Sequence, residues 1–456
     1  MSIKPPTFDL KKMSWMLTIF LCVNLFGAVN VYADGLTDST GFSTIRLSSA
    51  LNPFLVERDL WHDARISVES NVPGFSLHEV DIRLRGRGNT TWWFGSDKRP
   101  LRFRFDVPLE MLGVGTPHRD WILLANHFDQ SLLRNYAALH LGRQLSGLDN
   151  TPRSRFVHLY VNGQYMGVYQ LTDERDLGPG RTNIVLHEDP AISEFMLEWD
   201  DRMRGEPFRG LDWILTSTDI PFDIRFPSGS DTSPAHAAYA LDFLERVSKA
   251  LRSGNFEGFS SLVDIPSFVD FYLVQEFMKN PDVHFSSVFM TIRGQGSERR
   301  LVMGPLWDFD LAAGGNRVYG AIEYRYSPYG ITAALRNYWF RYAMKMPEFN
   351  HIVTRRWNEI RRVEINNTIS RIVEIQRLYA TDFERNFVRH QILGTRVWNE
   401  TDEIVAITTH EGQAAHLAEW LESRANWLDG HFNPYSRSRL DVLRSFLSCI
   451  MHNKGE

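Results

Sequence analysis

The chain has 456 residues, of which 43% are hydrophobic, 23% charged and 13% aromatic. This composition is typical of a globular protein and excludes a disordered, collagen-like or mucin-like chain. The 50 basic and 55 acidic residues give a net charge of −5, so no global positive field exists to hold nucleic acid or an anionic membrane. Two cysteines in the whole chain exclude a disulfide scaffold.

The first 33 residues have the pattern of a cleavable secretory signal. Lys11 and Lys12 precede an uncharged apolar run, Met16–Val29, and Val31-Tyr32-Ala33 offers aliphatic and small residues at the two positions that a signal peptidase reads. An uncleaved membrane anchor is the alternative, although the run is short for a full span. We therefore expect a secreted protein that has no membrane association after cleavage.

Hydrophobic patterning predicts strands in the first part of the mature chain. Val80–Arg85 and Leu101–Phe105 alternate apolar and charged side chains, which is typical of strands with one buried face. Residues 34–60 are interpreted as a lead-in or a first edge strand.

A helix and a hairpin follow in the sequence. Apolar residues spaced along one face predict a helix over Ser131–Leu145. Two apolar-rich runs, Phe156–Val161 and Tyr165–Leu171, flank Asn162-Gly163, which predicts a hairpin with a type I′ turn. Together these elements predict a strand-rich N-terminal lobe over residues 34–175.

The pattern changes after residue 175. Residues 176–232 are polar and contain many Gly and Pro residues, which predicts loops with short strands, and Ser233-Pro234 predicts the start of a helix that ends at Gly254. The other predicted elements are a helix from Asp264 to about Lys279, strands at Ser286–Arg293 and Arg299–Met303, and helices through most of residues 332–432. The expected fold is α+β: a mainly helical C-terminal lobe, residues 176–435, joins the strand-rich lobe across a cleft, and residues 436–456 form a tail.

Three aspartates are the strongest candidates for chemistry. Asp282 precedes the predicted hairpin, and Asp308 and Asp310 follow it. Because a hairpin returns the chain to its starting edge, these carboxylates should converge, with Asp308 and Asp310 on the same side if Phe309 is extended. Clustered carboxylates repel unless a cation joins them, and oxygen ligands favour Mg²⁺ or Mn²⁺. The alternative is that they cap turns or pair with arginines.

Basic residues supply a candidate anion site. The loop Arg85–Thr91 places two glycines beside Arg85 and Arg87, which suits close approach of the backbone to an anion, although a tight turn with solvated arginines is the alternative. Lys98 can reach a phosphate as a point charge. Arg102 lies on a charged strand face, and Arg134 lies on the predicted 131–145 helix.

Several segments together carry a resemblance. They are Arg85–Asn89, Lys98–Arg102, Leu123–Asn126 with Ser131–Asn135, Leu159–Glu174, Met303–Asp310 and Arg424–Asp429. In this order, from about residue 45 to residue 430, the chain resembles the spore coat protein H (CotH) kinase family. The resemblance implies an atypical protein-kinase-like two-lobe fold that is frequently secreted and transfers phosphate from ATP to protein hydroxyls.

The resemblance also implies roles for the aspartates. Asp282 would be the catalytic aspartate that accepts the proton of the substrate hydroxyl, and Asp308 would hold Mg²⁺ or Mn²⁺. Ser287 stands where kinases keep a metal-binding Asn, so Asp310 would supply the missing ligand. Asn280-Pro281 also departs from the usual His-Arg before the catalytic aspartate.

The nucleotide-binding residues come from the same resemblance. Tyr169–Glu174 would form the hinge whose backbone contacts adenine. The implied nucleotide-binding residues are Lys98, Arg87, Arg102, Arg134, Thr172 and Glu174.

Two other functions stay open. In a metal-dependent glycosyltransferase, Asp308 and Asp310 would hold a nucleotide-sugar diphosphate. A non-catalytic envelope or surface assembly protein would keep the fold as a scaffold. The intact Asp282 and Asp308 argue against the scaffold, and the context Met303–Asp310 argues against the glycosyltransferase. The expected partner is a protein substrate outside the cytoplasm, with no nucleic acid bound.

N-terminal sequencing of secreted material tests the signal. The basic, apolar and Val-x-Ala succession predicts that the mature protein begins at Asp34. A mature chain that begins at Met1 would contradict this expectation.

Overall fold

The computed structural model describes residues 41–433, apart from 95–96, 149, 174–177, 179–180, 208–209 and 318–325. The predicted signal and the predicted C-terminal tail therefore lie outside the described residues. The described chain mixes helices and strands, which confirms an α+β fold. The division into lobes at residue 175 stays a prediction.

The first seven strands of the described chain form a closed barrel. Its strands are β1 Ser43–Ser48, β2 His62–Glu69, β3 Leu77–Gly86, β4 Leu101–Leu109, β5 His118–Leu124, β6 Ser154–Val161 and β7 Gln164–Asp173. They are ordered β1-β2-β3-β4-β5-β7-β6, and the barrel closes because β1 also pairs in parallel with β6, with Ile45 opposite Leu159. Side chains that alternate inward, among them Leu84 and Phe103, fill the interior.

The interpretation of residues 34–60 is corrected by this closure. A strand does form there, but it is not an edge, because β1 has hydrogen-bonded neighbours on both sides. The predicted hairpin is confirmed: Asn162 and Gly163 have φ angles of 49° and 80°, the left-handed values that a type I′ turn requires.

A second sheet follows the barrel in sequence. Its strands are β8 Phe195–Trp199, β9 Trp213–Leu215, β10 Pro221–Phe226, β11 Val288–Arg293 and β12 Arg300–Met303, in the order β12-β11-β8-β10-β9. The predicted hairpin of β11 and β12 is confirmed, with Met290 opposite Met303. The short strands predicted within residues 176–232 are confirmed as β8, β9 and β10, and β8 is buried along its whole length at the centre of this sheet.

Most α-helices of the described residues follow the barrel in sequence. The described α-helices are α1 Thr90–Phe94, α2 Arg134–Gln144, α3 Pro234–Ser253, α4 Phe256–Ser260, α5 Ile265–Met278, α6 Ala333–Arg336, α7 Tyr338–Ala343, α8 Pro347–Ile360, α9 Asn366–Leu378, α10 Ala380–Arg389, α11 Asp402–Ala406 and α12 His410–Phe432. Among these helices, none combines the length and hydropathy that a membrane span needs.

Local signals explain where the predicted helices start and stop. The Ser233 side chain accepts a hydrogen bond from the His236 amide at the start of α3, and Gly254, with φ of 68°, ends that helix. The Asp264 side chain caps α5 in the same way, by accepting from the Ser267 amide.

Two hydrophobic cores organise the molecule. One fills the barrel, and the larger one joins α2 to the second sheet and to the C-terminal helices. A small third cluster, with Ile122, Met196, Phe289 and Trp307, lies where β5 faces β8 and β11. Apolar side chains therefore form part of the contact between the barrel and the second sheet.

Replacing Gly86 with Ala should destabilise the barrel. A Cβ at Gly86 would lie 2.3 Å from the ring of Trp92, which is only 2% exposed and cannot move into solvent. We expect a loss of about 1–3 kcal/mol in the free energy of unfolding, the usual cost of overpacking. Chemical denaturation measures it, with Gly205→Ala as control, because nothing lies within 4 Å of that Cβ position. Equal stability of the two variants would contradict the packing argument.

Candidate active site

A cavity of about 590 Å³ lies between the barrel and the second sheet. The loop from β3 into α1 covers one side, and β8, β11 and the residues that flank the β11–β12 hairpin form the other. Its lining includes Arg58, Arg85, Arg87, Gly88, Asn89, Arg102, Phe128, Met196, Glu198, Arg202, Arg225, Asp282, Ser287, Trp307, Asp308, Asp310 and Trp398.

The three predicted aspartates meet in this cavity. Asp282 lies just after α5, and Asp308 and Asp310 lie just after β12. The hairpin of β11 and β12 brings both ends together, as the sequence predicts. The geometry thus gathers three carboxylates from positions that are distant in the chain.

The backbone at Asp308 has an uncommon conformation. Asp308 has φ of 69° and Ser287 has φ of 62°, both in the left-handed region that non-glycine residues rarely adopt. Ser287 Oγ donates to Asp308 Oδ2 at 3.0 Å, and Asn280 Nδ2 donates to the Asp308 carbonyl at 3.3 Å. Such backbone strain concentrates at functional sites. Because Asp308 is not in an extended strand conformation, the left-handed turn, and not strand alternation, sets the direction of its side chain.

A buried network of amide side chains fixes the backbone of Phe309, the residue after Asp308. Asn135 Oδ1 accepts from the Phe309 amide at 2.7 Å, and its Nδ2 donates to Asn126 Oδ1 at 2.9 Å. Asn126 Nδ2 in turn donates to Gln170 Oε1 on β7 at 2.9 Å. All three amides are buried. The network therefore ties the barrel and α2 to the backbone between Asp308 and Asp310.

The pKa of Asp310 is shifted by burial and by neighbouring carboxylates. Its burial, followed by the negative charges of Asp308, Asp129 and Asp282, raises its pKa well above the ordinary value. The carboxylates are thus close enough to oppose one another's ionisation. A cation between Asp308 and Asp310 would remove this cost.

The donor set fits Mg²⁺ or Mn²⁺ only as part of a shared site. In the described part of the chain, no group of three or more His, Cys, Asp and Glu side chains is placed to hold an ion alone. Mg²⁺ is commonly bound by one or two carboxylates together with substrate phosphates and water. Asp308 and Asp310 meet that requirement, and the arginines of the same cavity suit a phosphate ligand.

Arginines supply the positive charge of the cavity. Arg87 and Arg102, both predicted from the sequence, line it. The Arg87 guanidinium lies 5.4 Å from the centre of the Trp307 ring, and Arg102 Nη2 lies 3.0 Å from Asp120 Oδ1. Their positions are therefore fixed by an aromatic ring and by a buried carboxylate.

Other cavity residues were not predicted. Glu198 is 1% exposed on β8, accepts from the Ser287 amide at 3.2 Å, and pairs with Arg202 and Arg225. Ser287 thus links Glu198 to Asp308. A glutamate inside the apolar run of β8 is the signal that could have indicated this role, because buried carboxylates need partners.

Other predicted nucleotide-binding residues do not line this cavity. Arg134 is 1% exposed, pairs with Asp129, and donates through Nε to the Ala312 carbonyl at 2.9 Å. Thr172 is buried, and its hydroxyl donates to the Arg153 carbonyl at 2.8 Å. Both residues are occupied by contacts within the protein.

Lys98 and the described hinge residues are also not among the lining residues. Lys98 is completely buried; its Nζ lies 5.5 Å from the centre of the Tyr169 ring and has no hydrogen-bond partner among the described residues. Burial lowers the pKa of Lys98 to about 7. Residues 169–173 of the predicted hinge are buried on β7, and Glu174 lies outside the described residues.

The glycines of the 85–91 loop serve the fold itself. Gly86 makes room for Trp92, and Gly88 has φ of 84°. The loop still lines the cavity from Arg85 to Thr91. Its side chains and backbone therefore form one wall of the cavity, although close backbone approach to a ligand is not what Gly86 provides.

Comparison with protein families identifies a model that matches most of the chain. The model described as CotH kinase protein matches residues 82–428, which is most of the chain and includes the three aspartates. The chain belongs to this family. The resemblance of the sequence to CotH kinases is thereby confirmed. Comparison with curated proteins gives no match.

Replacing Asp310 with Asn should stabilise the fold at neutral pH. A raised pKa means that the folded state holds this proton more tightly than the unfolded state, so stability falls as pH rises above the ordinary Asp value of about 3.9. Every tenfold difference in proton affinity between the two states corresponds to about 1.4 kcal/mol. Thermal unfolding without added metal should therefore show a higher Tm for the variant at pH 7 and a shrinking difference toward pH 4.

Asp242→Asn is the control for this measurement, because Asp242 is exposed on α3. It should leave Tm nearly unchanged at both pH values. A lower Tm for Asp310→Asn at pH 7 would contradict the repulsion between the cavity carboxylates.

Proposed function

We propose that this CotH family member is a secreted protein kinase that transfers the γ-phosphate of ATP to Ser or Thr hydroxyls of a protein substrate. The observation that carries the proposal is the convergence of Asp282, Asp308 and Asp310 in one cavity that arginines also line. Carboxylates that hold a metal, a further carboxylate near the reacting hydroxyl, and cations around the phosphates are the parts that phosphoryl transfer requires.

Asp308 and Asp310 are the residues that would hold Mg²⁺ or Mn²⁺. Such an ion, when bound, would supply positive charge that offsets the negative charge of the transferred phosphate. Ser287 and Asn280 orient Asp308 through its carboxylate and its carbonyl. Asn135 fixes the backbone between the two ligands. The chain thus holds both carboxylates in place before any ligand arrives.

Asp282 would accept the proton of the substrate hydroxyl. It lies at the cavity wall, and Asn280 Oδ1 accepts from its amide at 3.1 Å, which fixes the loop that presents the carboxylate. A positioned carboxylate in this role orients the attacking oxygen and takes its proton as the oxygen bonds to the γ-phosphorus, while the bond from that phosphorus to the departing ADP breaks. The Asn280-Pro281 pair that replaces the usual His-Arg therefore has a structural role, because Asn280 holds the Asp282 backbone.

The cavity arginines would bind the phosphates. Arg102 lies on β4 of the barrel, and Arg87 lies in the loop that follows β3. Arg225 lies on β10 of the second sheet, and Arg202 lies in the turn that follows β8. Their pairing with carboxylates such as Asp120 and Glu198 limits their excess charge while keeping each guanidinium in a fixed orientation. The nucleotide roles of Lys98, Arg134, Thr172 and Glu174 rest on the family resemblance alone.

The two-lobe arrangement is part of the proposal. The barrel would serve as the N-terminal lobe, and the second sheet with its helices as the C-terminal lobe. The position of the cavity between the two supports this assignment. Export by the signal over residues 1–33 would place the substrate protein outside the cytoplasm.

Two aspartate variants test the proposed roles. Asp308→Ala removes a metal ligand, so it should lose metal-dependent ATP binding in calorimetric titration. Asp282→Asn should keep nucleotide affinity but lose phosphoryl transfer by about 10²–10⁴-fold, because the amide cannot accept the proton. Autophosphorylation with labelled ATP and Mn²⁺ measures transfer.

Asp242→Asn serves again as the control, with unchanged binding and transfer. If the aspartates only cap turns, both cavity variants would instead unfold at lower temperature without a selective effect on transfer. Full activity of Asp282→Asn would refute its catalytic role. Turnover of nucleotide sugars in place of ATP would favour the glycosyltransferase.

A further inference from the structure

A run of consecutive backbone carbonyls is held by side chains from two helices. The carbonyls belong to residues 326–330, which lie between the cavity aspartates and α6 in sequence. Their donors are Trp420 Nε1 to Tyr326 at 2.9 Å, Lys279 Nζ to Ser327 at 2.9 Å and to Tyr329 at 2.5 Å, and Arg424 Nη1 to Pro328 at 3.0 Å and to Gly330 at 2.7 Å. We call this arrangement the carbonyl clamp.

The clamp places two cations in the interior. Arg424 is completely buried and Lys279 is 2% exposed. Glu276, also completely buried, lies 2.6 Å from Arg424 Nη2. Burial, followed by the charge of Arg424, lowers the pKa of Lys279 to about 7. Apolar side chains in these two positions would leave the carbonyls of residues 327–330 without these donors, so the two side chains hold this segment and do not merely fill space.

Lys279 connects the clamp to the Asp282 loop. It ends α5 with φ of 45°, a left-handed conformation that is rare for a lysine, and lies three residues before Asp282. Arg424 donates to the Glu276 carbonyl through both Nε and Nη2, at 3.2 and 2.9 Å, and so satisfies the last turn of α5. Holding residues 326–330 therefore also fixes the point from which the Asp282 loop departs.

The chain beyond the clamp holds the same loop from its other side. Arg336 Nη1 donates to the Pro281 carbonyl at 3.2 Å, and Asn337 Nδ2 donates to the Val283 carbonyl at 2.8 Å. The Thr332 amide donates to Glu276 Oε1 at 2.7 Å. Residues 326–337 thus contact the loop on both sides of Asp282.

We infer that Lys279 and Arg424 are positioning residues for phosphoryl transfer, which act by clamping residues 326–330 to the end of α5 and so fixing the carboxylate of Asp282. The inference rests on the proposed function for the step that Asp282 performs. Small displacements of a reacting group cost large factors in rate, because orientation contributes much of the acceleration. Loss of the clamp should therefore lower the maximal rate and leave ATP binding nearly unchanged.

Lys279→Met tests the clamp, because it removes both hydrogen bonds from Nζ and keeps most of the side-chain volume. Autophosphorylation with labelled ATP and Mn²⁺ over a range of ATP concentrations should show a maximal rate about 10-fold lower, with half-saturating ATP within about twofold of the unmodified chain. Lys345→Met is the matched control, because Lys345 is exposed and lies outside the clamp.

Arg424→Lys is the second variant, for the case in which Lys279→Met fails to fold. It keeps a charge beside Glu276, but one ammonium cannot serve Glu276 and the carbonyls of Pro328 and Gly330 together. A lower maximal rate at unchanged half-saturating ATP is expected again. A maximal rate equal to that of the unmodified chain, in either folded variant, overturns the inference. A variant whose only change is a higher half-saturating concentration of ATP overturns it as well.

Hydrogen exchange separates this inference from the proposed function. Backbone amides of residues 280–287 should exchange faster in Lys279→Met than in the unmodified chain or in Lys345→Met, whether or not phosphate is transferred. If the unmodified chain transfers no phosphate, the proposed function fails while the exchange result still tests the clamp. Unchanged exchange in a chain that does transfer phosphate overturns the clamp alone.

Discussion

Repulsion between carboxylates that share one cavity is the constraint on which the site depends. Burial raises the pKa of Asp310, and the charges of Asp308 and Asp282 in the same cavity, with that of Asp129 nearby, raise it further. A fold that served only its own stability would separate these groups or place a cationic side chain between them. Retaining them together makes sense where a divalent cation and its anionic ligand complete the site. The arginines of the cavity supply the matching charge for that ligand.

The rest of the structure keeps these groups from moving apart. The β11–β12 hairpin brings Asp282 and Asp308 to one end of the second sheet, and Ser287 joins Asp308 to Glu198 on the neighbouring strand. From the barrel side, buried amides reach the Phe309 backbone. The Asp308 carboxylate and the Phe309 backbone are thus held by different elements. The apolar burial in the large core, which packs the same elements, offsets the unfavourable free energy of the repulsion between the carboxylates.

Local sequence signals predicted the features that depend on neighbouring residues. The Asn162-Gly163 turn, the caps of α3 and the β11–β12 hairpin follow from turn chemistry and periodicity, and the hairpin led directly to the aspartates. Closure of the barrel could not be predicted in this way, because the parallel pairing of β1 with β6 joins strands that lie more than a hundred residues apart. Parallel neighbours leave no turn signal in the sequence.

The candidate nucleotide residues show the same limit. A charged residue in a sequence does not reveal whether it faces solvent, a partner or a ligand. Arg87 and Arg102 line the cavity, whereas Arg134 pairs with Asp129 and Lys98 is buried beside Tyr169. Glu198 was overlooked because strand periodicity reports which face is apolar and does not report which buried carboxylate has an arginine opposite.

A crystal structure with a non-hydrolysable ATP analogue and Mn²⁺ would show which side chains hold the metal, since anomalous scattering locates it. We predict Mn²⁺ in contact with Asp308 and Asp310, the phosphates among the cavity arginines, and Asp282 beside the γ-phosphate without contact to the metal. Mn²⁺ bound elsewhere, or a nucleotide outside this cavity, would contradict this prediction.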